Sequence, residues 1–110
     1  MSELTQKECV PCEGGVPPLE PDEVERLLTE VNDWEYIDAA EPKIKKSFKF
    51  KDFNGSMDFV NQVAEVAEAE GHHPNIDINY NRVEIVLYTH AIDGLHENDF
   101  ILAAKIDELV

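Results

Sequence analysis

Ile76-Asp-Ile-Asn-Tyr80-Asn81-Arg-Val83-Glu-Ile-Val-Leu-Tyr-Thr89-His90 is the stretch whose reading decides the fold. Apolar and polar residues alternate on both sides of Tyr80-Asn81, as in two half-buried strands joined by a two-residue turn. With that turn, Ile76 faces Ile85 and Ile78 faces Val83, so both strands put their apolar residues on one side. A slip of one residue would set each isoleucine against a wrongly facing neighbour, so the pattern supports its own register. Carried outward, the register sets His73 opposite Tyr88 and His72 opposite Thr89. His90 becomes the diagonal neighbour of His73, roughly 7–8 Å away between backbones.

Upstream of the hairpin a helix runs from about Gly55 to Glu70 and stops at Gly71, a residue suited to the left-handed turn that closes helices. Its Met57, Phe59, Val60, Val63, Ala64, Val66 and Ala67 cover an arc of about 180°, wider than the roughly 100° stripe needed to pack on one sheet. A second subunit on one flank and extra burial in the core both account for the surplus. Farther back, Val24, Leu27, Leu28 and Val31 recur at helical spacing in a helix from about Pro21 to Val31. Trp34–Ala39 reads as a strand broken by Glu41-Pro42. Ile44–Phe50 reads as another, with Ile44, Phe48 and Phe50 on one face. A last helix, about Asn98 to Leu109, carries Leu102, Ala103, Ile106 and Leu109 on one side. This order predicts an α+β fold: a four-stranded antiparallel sheet with three helices packed on one face. Residues 1–20 read as an extended N-terminal arm, and 21–110 as a single domain.

All four histidines, His72, His73, His90 and His96, fall within this one region. Histidine's ordinary pKa of about 6.5 lets it give and take protons near neutral pH. Pro74 confines His73 to extended backbone, which fixes the direction of its side chain. Glu68, four residues before His72, is within reach of that imidazole, where it would orient one ring nitrogen and raise the basicity of the other. Spacing leaves three readings open: a shared proton-transfer site, a metal site from His72, His73, His90 and Asp99, or histidines with no site at all. Against the metal, adjacent strand residues point to opposite faces.

Composition narrows the partners. The chain has 110 residues, enough for one core, and 43% hydrophobic content supports a folded domain despite the charge. A net charge of −15 argues against binding a phosphate backbone. Lys43, Lys45, Lys46, Lys49 and Lys51 read as the solvated face of one strand. No apolar run approaches the roughly 18 residues that span a bilayer. The first residues lack a basic and an apolar signal region, so the expected location is cytoplasmic. Cys9 and Cys12 form a lone CxxC with neither a second pair for structural zinc nor a strand-to-helix context for redox work, and read as incidental thiols.

At these residues the chain resembles the pterin-4a-carbinolamine dehydratases (4a-hydroxytetrahydrobiopterin dehydratases). The likeness runs through Cys9-x-x-Cys12, Phe48-Lys-Phe-Lys-Asp-Phe53, Ala67-Glu68, His72-His73-Pro74, Tyr80-Asn81-x-Val83, Thr89-His90, Gly94-Leu95, Asp99 and Ala103-Ala-Lys-Ile106-Asp107. It implies a small α+β subunit, assembled as a homodimer or homotetramer, with no metal or bound cofactor. The implied reaction removes water from a 4a-hydroxytetrahydropterin to give the quinonoid dihydropterin, recycling the cofactor of aromatic amino-acid hydroxylases. The implied partner is the small pterin substrate, with no direct contact to nucleic acid or membrane. By the same resemblance His72, His73 and His90 are the catalytic histidines, with Glu68 and Asp99 as supporting acids. Substrate contacts fall on His72, His73, Pro74, Thr89, His90, Ala91 and Ile92. The alternative is a non-catalytic binding or assembly protein on the same fold, like the transcription-cofactor and assembly-chaperone relatives. The intact histidine set favours the enzyme. Two positions depart from the family pattern: Ile76 replaces a frequent Trp, and His96 stands where Ser or Thr caps the last helix. A histidine is a poor cap, expected to weaken that helix start by ~1 kcal/mol and leave Asp99 less constrained.

Overall fold

Along the chain run α1 (Pro21–Leu28), β1 (Glu35–Ile37), β2 (Lys43–Lys49), α2 (Phe53–Glu70), β3 (Asn75–Asn79), β4 (Arg82–Leu87) and α3 (Glu97–Asp107). The structure is a computed structural model that describes residues 3–7, 9 and 17–110. The hairpin closes in the expected register, with Ile76 against Ile85 and Ile78 against Val83. Tyr80 takes the turn at a φ of 54°, the left-handed conformation that two-residue hairpin turns require. All strand pairs are antiparallel, and the sheet order is β1-β2-β4-β3. Ile44 and Phe48 of β2 and Val83, Ile85 and Leu87 of β4 meet side chains of all three helices in one core cluster. That is the expected α+β architecture. Among the described residues no helix is long and apolar enough to cross a membrane.

The helices differ in how much of their circumference the core takes. α2 starts at Phe53, two residues before the expected position, because the Asp52 carboxylate accepts the Gly55 N–H at 2.8 Å and caps it. Phe59, Val63 and Ala67 of α2 are buried, while Met57, Val60 and Val66 are half-buried and Ala64 is exposed. The core therefore uses only part of the broad apolar arc. α3 is different: every residue from Asn98 to Ala104, and Ile106, is buried. A helix covered on nearly all sides is a central element rather than a surface one.

Two expectations need correcting. Lys46 does not lie on the solvated face. It falls between Ile44 and Phe48 on the helix-facing side, and its Nζ donates to Asp107 Oδ1 at 2.8 Å. The same carboxylate accepts the Trp34 indole N–H at 3.1 Å and the Asn32 amide at 3.1 Å, which ties the end of α3 to the sheet. The N-terminal arm is not extended over residues 3–6 either. Glu3–Gln6 forms a 3-10 turn packed on α3, and Leu4 joins the core at 1% exposure. A single buried leucine has no periodic companions, so nothing in the sequence pattern marked it.

Cys9 follows this turn, half-buried, with its amide donating to Glu70 Oε1 at 2.8 Å. Cys12 lies outside the described residues. Burial, and then the adjacent Glu70 carboxylate, push the Cys9 thiol from 9.0 up to about 12. Glu70 itself moves down, because it accepts hydrogen bonds from Lys105 Nζ at 2.7 Å and from the Cys9 amide. For Cys9 the protonated form is the one favoured by folding, so its contribution to stability is complete below pH 9.0 and fades as pH rises toward 12. Near pH 8 the folded protein should alkylate at Cys9 roughly a hundred- to thousandfold more slowly than the unfolded chain. Peptide mapping after timed iodoacetamide treatment separates Cys9 from Cys12. Equal rates with and without urea would contradict the buried, inert thiol.

Candidate active site

The site begins where α2 ends. Gly71 adopts a left-handed φ of 66°, its N–H donating to the Ala67 and Glu68 carbonyls, and the His72 N–H returns to Ala67 O at 3.2 Å. This closing turn reverses the chain and separates the two adjacent histidines. His72 goes inward, its side chain 12% exposed, and His73 stays out at 60%. On the other side β4 ends at Leu87, and Thr89 leaves the ladder to pair with Gly94 (Thr89 N to Gly94 O 2.8 Å). Between them His90–Ile92 forms a 3-10 turn that presents His90 to solvent.

Asp99, in the first turn of α3, joins these pieces. Its carboxylate is fully buried, and three donors meet it. His72 Nε2 lies 2.6 Å from Oδ1, while Thr89 Oγ1 (2.9 Å) and the His96 amide (3.0 Å) donate to Oδ2. The positive end of the α3 dipole adds to this favourable setting for a negative charge. A carboxylate facing Nε2 assigns that nitrogen the proton, so Nδ1 is the basic nitrogen of His72. His73 Nε2 makes a matching 2.6 Å contact with Glu68 Oε1, in the open. A cavity of about 290 Å³ is lined by Gly71, His72, His73, Tyr88, Thr89, His90, Ala91 and Asn98. It offers two carboxylate-oriented imidazoles and a third, His90, whose ring stands edge-on to Tyr88 with centroids 6.0 Å apart. Such a set can exchange protons with one small bound molecule.

Of the residues expected at the site, the structure brings His72, His73, Thr89, His90 and Ala91 to the cavity wall, and Glu68 and Asp99 to the histidines. Pro74 and Ile92 are not on the wall. Glu68 meets His73 rather than His72, and Asp99 meets His72. The left-handed residue at Gly71 is the reason, because it rotates His72 away from the end of α2. His72 does not lie opposite Thr89 in the ladder, since the β3–β4 pairing stops at Asn75 and Val86. The expected weakness at His96 is also absent. Its Nδ1 accepts the Asn98 amide at 3.0 Å while Asp99 accepts the His96 amide, a reciprocal cap that holds Asp99 firmly. Tyr88 and Asn98 also line the wall. The alternation sets Tyr88 opposite His73 but gives it no role, and Asn98 carries no signal in the sequence.

Comparison with known proteins gives a consistent picture. The family described as pterin 4 alpha carbinolamine dehydratase matches residues 17–109. A protein of Rubrobacter xylanophilus is 52% identical over 109 residues, covering 99% of this chain and 100% of its own. One of Methylococcus capsulatus is 53% identical over 106 residues, covering 96% and 92%. Both bear the name "Putative pterin-4-alpha-carbinolamine dehydratase". Among solved structures, a transcriptional coactivator/pterin dehydratase from Brucella melitensis superposes with a TM-score of 0.78 at 37% identity, over 84% of this chain and 97% of that one. A pterin dehydratase-like protein described as a RuBisCO assembly factor in the alpha-carboxysome superposes with a TM-score of 0.60 at 27% identity, over 69% and 87%.

The Thr89 hydroxyl is the one side-chain donor to Asp99 that does not titrate, so it isolates the worth of that buried carboxylate's hydrogen bonds. Thr89→Val keeps the shape and removes the donor, and should lower stability by about 2 kcal/mol, the usual cost for a hydrogen bond to a charged group. Urea denaturation reads this as a fall in midpoint at constant slope. An unchanged midpoint would mean the bond contributes nothing.

Proposed function

This chain belongs to the pterin 4 alpha carbinolamine dehydratase family, and on that footing we propose that it removes water from a 4a-hydroxytetrahydropterin to give the quinonoid dihydropterin. The observation that carries this reading is the 2.6 Å contact of His72 Nε2 with the buried Asp99 carboxylate, beside a cavity that His73 and His90 also line. A carbinolamine bears a hydroxyl on the carbon next to a ring nitrogen. Its dehydration needs one proton delivered to the departing oxygen and one taken from that nitrogen, with no net proton consumed. His72 suits the second task. Asp99 fixes its tautomer with Nδ1 unprotonated and offsets the positive charge that arrives when Nδ1 accepts a proton. His90 in its imidazolium form suits the first, because its exposure allows reloading from solvent. His73, held by Glu68, also lines the cavity and contacts the bound pterin there. Paired acid and base work of this kind is worth about 10²–10⁴-fold.

In this reading the protein returns the spent cofactor of aromatic amino-acid hydroxylases in the cytoplasm, as a homodimer or homotetramer. Met57, Val60 and Val66, half-buried on either side of the core stripe of α2, leave apolar surface for assembly. An assembly role like that described for the carboxysome protein is the competing reading, and it has no use for carboxylate-oriented imidazoles around a cavity.

Stopped-flow decay of chemically generated 4a-hydroxytetrahydropterin, with and without protein, tests the proposal. His72→Ala and His90→Ala should each lose roughly 10–10³-fold in turnover, and the double variant should lose less than the product of the two. His96→Ala should turn over close to the wild-type rate while costing about 1 kcal/mol of stability through its lost cap. Damage from His96→Ala equal to that from His90→Ala would show the site to be misplaced.

A further inference from the structure

One cluster of ligating side chains lies beside this site and shares only His90 with it. A carboxylate oxygen of Glu41, an imidazole nitrogen of His90 and a carboxylate oxygen of Asp93 all lie within 4.8 Å of one another. Two separate constraints bring them together. The β2–β4 pairing ends at Ile44 and Leu87, so Glu41 just before β2 and His90 in the turn after β4 leave the sheet at the same end. Lys43 Nζ stands 4.9 Å from the centre of the Tyr88 ring. Asp93 arrives from the opposite direction. The Thr89–Gly94 bridge and the Asp93 N–H to His90 O bond of 3.2 Å fold it back over His90. All three side chains are exposed. Among the described residues no ion pair or side-chain hydrogen bond engages either carboxylate, so two negative charges converge on an imidazole with no protein cation between them.

We propose that Glu41, His90 and Asp93 bind a divalent transition-metal ion of the zinc, cobalt or nickel class, and that the bound ion switches off proton transfer by occupying His90. One imidazole nitrogen with two carboxylate oxygens is a borderline donor set that suits these ions better than calcium or magnesium. It balances a charge of two and leaves positions open for water. Ligand atoms around tetrahedral zinc sit about 3.3 Å apart, given bonds of about 2.0–2.1 Å. Exposed side chains on two turns reach that spacing by rotamer changes alone. A metal-bound imidazole is locked neutral, with a proton only on its other nitrogen, and no longer serves as an imidazolium acid. The site itself stands on geometry; the inhibition rests on the reading of His90 as a proton-transfer group.

Calorimetric titration of metal-free protein with zinc chloride, and the absorption spectrum with cobalt(II), test the site without reference to activity. One ion per chain should bind, and Glu41→Gln and Asp93→Asn should each weaken it by roughly tenfold or more. In the stopped-flow assay zinc should inhibit the wild type, a chelator should restore it, and both carboxylate variants should keep the metal-free rate and resist zinc. No binding, or binding that neither variant weakens, overturns the site. Binding as expected with undiminished turnover overturns the inhibition. If none of the proteins dehydrates the pterin, the functional reading and the inhibition fail together, and calorimetry still decides the site.

Discussion

A buried carboxylate with three donors organises this molecule. Asp99 is fully buried, and a charge in that position is tolerated only when it is hydrogen-bonded on all sides. Its donors come from three places: His72 after α2, Thr89 after β4 and the His96 amide at the start of α3. The requirement of one side chain therefore fixes how three chain segments meet, and the cavity is the space they leave between them. The same contact that satisfies Asp99 sets the tautomer of His72. Stability and the candidate chemistry depend on the same bonds.

α3 is held along its length by the same logic. Glu70 on α2 receives Lys105 at 2.7 Å, and Asp107 receives Lys46 from β2 at 2.8 Å. Both pairs are largely shielded, with side-chain exposures of 8–18%. Removing one partner from such a pair leaves the other charge uncompensated, which costs far more than an exposed ion pair is worth. The N-terminal segment adds to this frame, since Leu4 packs into the core and the Cys9 amide shares Glu70 with Lys105. The described residues there clasp α3 and the end of α2.

Much of this was legible in the sequence, for identifiable reasons. Period-two alternation around Tyr80-Asn81 gave the β3–β4 register, because a one-residue slip would have put Ile76 and Ile78 on the wrong side. Gly71 marked the end of α2, and the histidines after it line the cavity. What was not legible turns on single residues acting at a distance. The left-handed turn at Gly71 gives Glu68 His73 as its partner in place of His72, a rotation that spacing along the chain does not encode. Strand register could not be carried beyond Pro74, where β3 and β4 part. His96 caps α3 through Nδ1, a role that residue averages hide. Lys46 is charged at a core-facing position, and its partner lies 61 residues away.

The central claim is that the Asp99 charge, delivered through His72, serves proton transfer as well as the fold. Asp99→Asn keeps the shape of the side chain and removes the charge, and comparing its steady-state turnover with its circular dichroism and pterin affinity separates the two roles. The account predicts a folded variant that still binds a tetrahydropterin and dehydrates the carbinolamine roughly 10–10³-fold more slowly. Wild-type turnover in that variant would contradict it.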